Sequence, residues 1–204
     1  MAPTAAPARE RILDAAQDLV LRHGFSATTV DAILAAAGTS KGAFFHHFPS
    51  KATLGRALVE RYAAADAELL DQALTAAEAS TDDPADQLLA LLDGFAAAVD
   101  EQAATPPACL FVSFVYEQIP DAEGTRDVVV EAIELWRARL LAKLEEAAAA
   151  HPPARPVDLP SLADQVFTTF EGSFILARAT DDPGHVRAQL RHLRTYLALL
   201  FGRP

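Results

Sequence analysis

Proline and short polar clusters recur at Ser80 to Pro84, Thr105 to Pro107, Pro120 to Gly124, Pro152 to Pro160 and Asp181 to Gly184. Each reads as a helix break, because proline has no amide hydrogen to donate and its ring collides with the preceding turn. The stretches between the breaks run from about ten to about thirty residues and carry helical periodicity in strong helix formers. Nothing in the chain points to a strand. With three helices expected before Tyr62, the spacing predicts an all-α chain of about nine helices. The break over 152–160, with four prolines in nine residues, reads as the least structured loop of the body.

Thr28 to Lys51, TTVDAILAAAGTSKGAFFHHFPSK, has the outline of two short helices joined by a glycine-bearing turn. Thr28 offers an N-cap to the first helix, with Asp31 three residues on in the place of a capping-box acid. Val30, Ile33, Leu34 and Ala37 fall at i, i+3, i+4 and i+7 and make one apolar stripe. Gly38 can leave the helix at positive φ, and the Ser40 hydroxyl can cap the second helix. Phe44 and Phe48 lie one turn apart and face the core, which leaves Lys41, Gly42, Phe45 and His46 outward. One cation, a glycine permitting close approach, an aromatic ring and a histidine suit the groove of a polyanion. Two short helices joined through glycine also occur as ordinary connections in all-α proteins, so the outline needs a second observation.

Charge supplies it. The chain has 17 Lys+Arg against 28 Asp+Glu, a net of −11, which by itself argues against nucleic acid. Up to Ala63, however, seven basic residues face five acidic ones, and the rest of the chain carries ten against twenty-three. Two of the three lysines, Lys41 and Lys51, stand in or just after the helix pair. A small phosphate-contacting module on an acidic body has this distribution.

The segment Arg9 to Tyr62 resembles the N-terminal domain of TetR-type, tetracycline-repressor-like transcriptional regulators. The resemblance rests on Ile12, Ala15, Ala16, Gly24, Phe25, Thr29, Val30, Ile33, Ala37, Gly38, Ser40, Lys41, Gly42, Phe48, Lys51 and Leu54. It implies that the second helix of the pair enters the major groove of an operator. DNA contacts are then expected from Thr28, Thr29, Thr39, Ser40, Lys41, Gly42, Ala43, Phe45, His46 and Lys51. The residue matching Phe45 is usually a tyrosine that bonds a phosphate; here the hydroxyl is missing, and the ring is left to pack on sugar or a thymine methyl. Ser50, after Pro49, is expected to cap the next helix. The division expected is a disordered tip over 1–8, a helix-turn-helix domain over 9–50, and a helical ligand-binding and dimerisation domain over 51–204.

Other chemistries find little support. His46, His47 and His23 do not have metal-ligand spacing, and no cysteine or clustered acid stands near them in sequence. A single cysteine, Cys109, rules out an internal disulfide and fits a reducing, cytoplasmic setting. At the start of a helix it is either a redox sensor or a small apolar filler. The opening MAPTAAPA lacks the basic start and apolar core of a signal peptide, and no apolar run is long enough to cross a bilayer. Neither a nucleophile with base and orienting acid nor a phosphate-cradling glycine loop is legible, so neither an enzymatic activity nor a cofactor is expected.

Two further sites are expected in the body. Val186, Leu190, Leu193, Leu197 and Leu200 alternate spacings of four and three, the pattern of a helix seam, and Gly172, Ser173, Ala177 and Ala179 upstream are small enough for close helix approach. These residues serve a homodimer interface or else close the monomer's own core; the resemblance favours the dimer, since the family pairs through its last two long helices. Phe95, Phe111, Phe114, Trp136, Phe167, Phe170 and Phe174, with Glu117 and Glu171 among them, are the expected lining of a small-molecule pocket. Glu171 stands in a mostly apolar helix, where it can face a pocket, the dimer partner or solvent. Together these features describe a ligand-responsive, homodimeric regulator, a repressor released by an apolar or aromatic effector. The alternatives are an all-α small-molecule-binding or interaction protein and an activator of the same fold.

Overall fold

The computed structural model describes residues 6–101, 108–117 and 123–203. Among them are nine helices and no strand: α1 (Ala8–His23), α2 (Val30–Ala37), α3 (Lys41–His47), α4 (Lys51–Ser80), α5 (Pro84–Glu101), α6 (Leu110–Tyr116), α7 (Thr125–Ala150), α8 (Leu159–Thr180) and α9 (Gly184–Leu200). The breaks fall where the prolines place them. α4 stops at Ser80 and α5 opens on Pro84, while Pro160 sits in the first turn of α8, where a missing N–H costs nothing. The break at 105–107 and most of that at 120–124 lie outside the described residues, as does the tip up to residue 5; α1 already begins at Ala8.

Two compact units result, one from Met1–Ala65 with Cys109–Glu131, the other from Asp66–Ala108 with Ala132–Pro204. The expected boundary at residues 50 and 51 is only the start of α4. That helix runs unbroken for 30 residues, with Leu54, Leu58 and Val59 buried in its first half and Leu70, Leu74 and Ala77 in its second. Helix punctuation marks where a helix ends, not where one core gives way to another.

Unit 1 packs α1 against α2, α3 and α6. Its core includes Ile12, Leu13, Ala16, Val20, Phe25, Ile33, Phe44 and Phe48. Arg11 ties α1 to the end of α2, its Nε donating to the Ala37 carbonyl at 3.2 Å, and Arg61 donates to Asp14 and Gln17.

In unit 2, α9 packs on α5 and α8. Val186, Leu190, Leu193, Leu197 and Leu200 all point into this core, Leu190 with no exposure at all. These five are therefore not a dimer seam: a side chain already enclosed by its own chain has no surface to offer a partner. A spacing of three and four finds the buried stripe of a helix, whichever core buries it. The chain end is held by Arg203, which donates both to Asp86 and, at 3.2 Å, to Asp83; the same Asp83 caps α5 and bonds His151. The buried Lys143 is satisfied by Gln87, Glu146 and Glu78.

Candidate nucleic-acid interface

Two hydroxyls and one glycine shape the helix pair. Thr29 caps α2, its side chain accepting from the Ala32 N–H at 3.1 Å, and Ser40 caps α3 by accepting from Ala43 N–H at 3.2 Å. Such a cap is worth about 1 kcal/mol. Gly38 ends α2 in the left-handed region at φ 58°, where a side chain would be strained. Thr28 is not the cap. It is 3% exposed and its hydroxyl donates to the Gly24 carbonyl at 2.7 Å. Thr28, expected to touch DNA, thus has its only polar side-chain group turned inward.

Phe44 and Phe48 enter the core with their rings 5.8 Å apart, and Phe44 also meets Phe45 edge-on at 5.2 Å. The opposite side of α3 is open. Lys41, Gly42 and His46 are exposed, Phe45 is 44% exposed, and Thr39 and Ala43 are half-buried beside them. Lys41 makes no ion pair among the described residues, and α3 contains no acid, so its outward face is cationic and close-packing. Thr29 and Asp31 stand exposed at the start of α2. Among the described residues no three His, Cys, Asp or Glu side chains converge as a metal site would require.

Lys51 differs from Lys41 in being engaged. Its ammonium donates to the Ser26 carbonyl at 3.2 Å and lies 4.6 Å from the centre of the Phe25 ring. Partial burial lowers its pKa from the ordinary lysine value, against the opposing pull of the Glu117 carboxylate. Ser50 caps the helix that Lys51 begins, accepting from the Thr53 N–H at 3.0 Å.

The aromatic set expected around a ligand divides between the two units. In unit 2, Phe95 stacks on Trp136 at 5.6 Å, and Phe170 meets both edge-on, with Phe174 at 6.1 Å beyond it. Asp66 was not expected there. It accepts from the Trp136 indole N–H at 2.5 Å, and burial pushes its carboxyl above the usual range while that bond pulls it down. Phe167 and Glu171 are half-buried on the same helix, α8.

Three members of the set belong to unit 1. Phe111 meets Tyr62 edge-on at 5.0 Å, and Phe114 packs on Phe25 at 4.7 Å. Glu117 accepts from the Phe25 and Ser26 N–H groups. These contacts commit Phe111, Phe114 and Glu117 to the packing of unit 1. No local signal could have disclosed this, because Glu117 and Phe25 are 92 residues apart.

Between α8 and α9 lies a groove of about 440 Å³, lined by Val157, Ser161, Gln165, Thr169, His192 and Tyr196 among others, and by none of the expected aromatic residues. On the outward sides of these helices, Gly172, Ile175, Leu176 and Ala179 of α8 and Tyr196 and Leu199 of α9 are exposed. Ser173 and Ala177 are buried. No described helix is long and apolar enough to cross a membrane.

The arrangement, a capped helix pair with a cationic outer face ahead of a second helical unit, has close counterparts. Residues 12–58 match the model of the bacterial regulatory proteins, tetR family, and residues 84–193 that of the tetracyclin repressor-like C-terminal domain. The transcriptional regulator AcuR of Cereibacter sphaeroides is 30% identical over 189 residues, covering 90% of this chain and 83% of that protein. The HTH-type transcriptional repressor NemR of Escherichia coli K12 is 36% identical over 70 residues, 34% of this chain and 35% of its own length. Among solved structures, a regulatory protein TetR from Rhodobacter sphaeroides superposes with a TM-score of 0.79 at 26% identity, covering 94% of this chain and 99% of that one. A TetR transcriptional regulator from Chloroflexus aurantiacus gives 0.75 at 26% identity, covering 95% of each. Both halves of the chain and nearly its whole length are thereby accounted for, and the chain belongs to the tetR family of bacterial regulatory proteins.

Proposed function

We propose that this chain is a homodimeric, cytoplasmic transcriptional repressor, released from its operator by a small, largely apolar or aromatic effector. The observation that carries the DNA side is the outward face of α3, where Lys41, which makes no ion pair among the described residues, stands beside Gly42, Phe45 and His46 with no acid on the helix. Gly42 and Ala43 let the α3 backbone approach the groove, and Ser40 and Thr39 place hydroxyls at the helix start, where the dipole favours a phosphate. Thr29 and Lys51 flank this surface.

One such helix reads only a few base pairs, so two copies related by a two-fold are needed, spaced about one helical turn of DNA apart. The second copy is accommodated by the exposed apolar face of α8 and α9, formed by Gly172, Ile175, Leu176, Ala179, Tyr196 and Leu199. The effector is taken by unit 2, where Phe95, Phe170 and Phe174 cluster with Trp136, whose indole N–H is held by Asp66. It acts by binding one of two conformers more tightly, the one whose reader helices no longer match the operator half-sites.

Mobility shift on the chain's own upstream DNA, repeated across salt, tests the reading. Lys41→Ala is expected to weaken binding about tenfold and to lower the slope of log K against log salt by about 0.9, the increment of one phosphate. A slope unchanged from the unsubstituted protein sinks the assignment of α3 as reader.

A further inference from the structure

Ser26 is gripped from both ends. Its N–H donates to Glu117 Oε2 at 2.5 Å, its carbonyl accepts from the Lys51 ammonium at 3.2 Å, and the neighbouring Phe25 N–H donates to Glu117 Oε1 at 2.9 Å. The carboxylate holds the N–H groups of the two peptide units that precede the Ser26 Cα and the ammonium holds the carbonyl of the one that follows it, so charge-assisted bonds fix three consecutive peptide planes.

The packing is built around this chain of bonds. Gly24, at φ 85°, leaves the space that the carboxylate occupies; a Cβ there would collide with Glu117. Gly55 lets Phe25 approach α4, since a Cβ at that position would stand 2.7 Å from its ring. Phe25 in turn contacts both the Lys51 ammonium and Phe114, the latter one turn before Glu117. The Gly24 carbonyl, at the other side of the loop, receives the hydroxyl of the buried Thr28 directly before the α2 cap.

We propose that Glu117 is a positioning residue for DNA reading: through Ser26 it fixes the Lys51 ammonium at the place from which that ammonium meets a phosphate. The proposal rests on Lys51 being a phosphate contact, and the experiment separates the two. A free lysine loses side-chain entropy on meeting DNA, whereas one already held at a carbonyl and over a ring has lost most of it beforehand. The sign of the effect is diagnostic. By charge alone a carboxylate near a phosphate-binding lysine repels DNA, and neutralising it should tighten binding; as a positioning group, its removal loosens binding.

The test uses the full-length chain and a duplex that the unsubstituted protein has selected from random-sequence DNA, with binding measured across salt for Glu117→Gln, Glu117→Ala, Lys51→Ala and the double alanine variant. Glu117→Ala is expected to weaken binding about tenfold and to lower the salt slope by about 0.9, as Lys51→Ala does. Glu117→Gln, which keeps one acceptor oxygen, should lose about threefold. The double variant should bind no more weakly than either single one, because both act through the same ammonium. Unfolding temperature and sedimentation are followed for each variant, and should Glu117→Ala fail to fold, the near-isosteric Glu117→Gln decides the sign. Unchanged or tighter binding by Glu117→Gln, or losses that multiply in the double variant, overturns the positioning role. Lys51→Ala binding like the unsubstituted protein breaks the phosphate contact itself and the proposal with it.

Discussion

In α3, Phe44 is fully buried while Phe45, one residue on, stands open beside Lys41 and His46. In α9, Leu197 is fully buried while Leu199, two residues on, is 70% exposed near Tyr196. Both helices carry a clear apolar repeat, and in both that repeat is spent on the chain's own core. The surfaces left for a partner are the residues that break it. In the reader this is easy to see, because the leftover face is polar and cationic. In α9 the leftover face is apolar as well, so the stronger of two apolar stripes draws attention to the side already spent on the core.

Placing acids on the buried side of α9 or on the exposed side of α8 and α9 is the hardest test of that contrast. Leu190→Asp places an unpaired carboxylate in a fully enclosed site and is expected to unfold unit 2, since even Leu→Ala in such a core costs about 2–5 kcal/mol. Ile175→Glu combined with Leu199→Glu, on the exposed side, should leave helicity and unfolding midpoint close to the original and yet yield monomers by sedimentation. Were the second variant to stay dimeric, the outward face of α8 and α9 would not be the interface.

A smaller effect sharpens the reader's side. Phe45→Tyr adds a hydroxyl at an exposed ring on the cationic face of α3. One hydrogen bond to a phosphate oxygen, worth about 1 kcal/mol net, should tighten operator binding about fivefold, and a variant that binds no better would mean the ring edge does not reach the backbone. The smallest effect concerns the body alone. The bonds from Arg203, opposed in part by burial, hold the Asp86 carboxyl below the usual carboxylate range. A carboxyl whose folded pKa is depressed contributes fully above its unfolded value, about 3.9, and the contribution fades as pH falls through the lower folded value. Acid unfolding of unit 2 should thus be less steep below about pH 4 in Asp86→Asn, with the reader's transition unmoved.

Much of the architecture is legible before any tertiary contact is known. The breaks at Ser80 to Pro84, Pro152 to Pro160 and Asp181 to Gly184, the Ser40 cap and the left-handed Gly38 all depend on groups within a turn or so of one another. The outward set of α3 follows from the same local rules. Less legible is the choice between adjacent threonines. Thr28 and Thr29 are equally able to cap α2, and the decision falls to Thr29 because the Gly24 carbonyl already holds the Thr28 hydroxyl.

The amino-acid order by itself determined the helices, their ends, the basic reader on an acidic body and the outward face of α3, because capping, helical period and net charge are local or additive properties. Tertiary structure alone decided which apolar stripe of α9 is enclosed, which unit claims Phe111 and Phe114, and that Glu117 serves the reader's loop. Those outcomes depend on which distant surfaces meet. A pairing across 92 residues leaves no periodic trace at either end, since its geometry exists only once the intervening helices have folded.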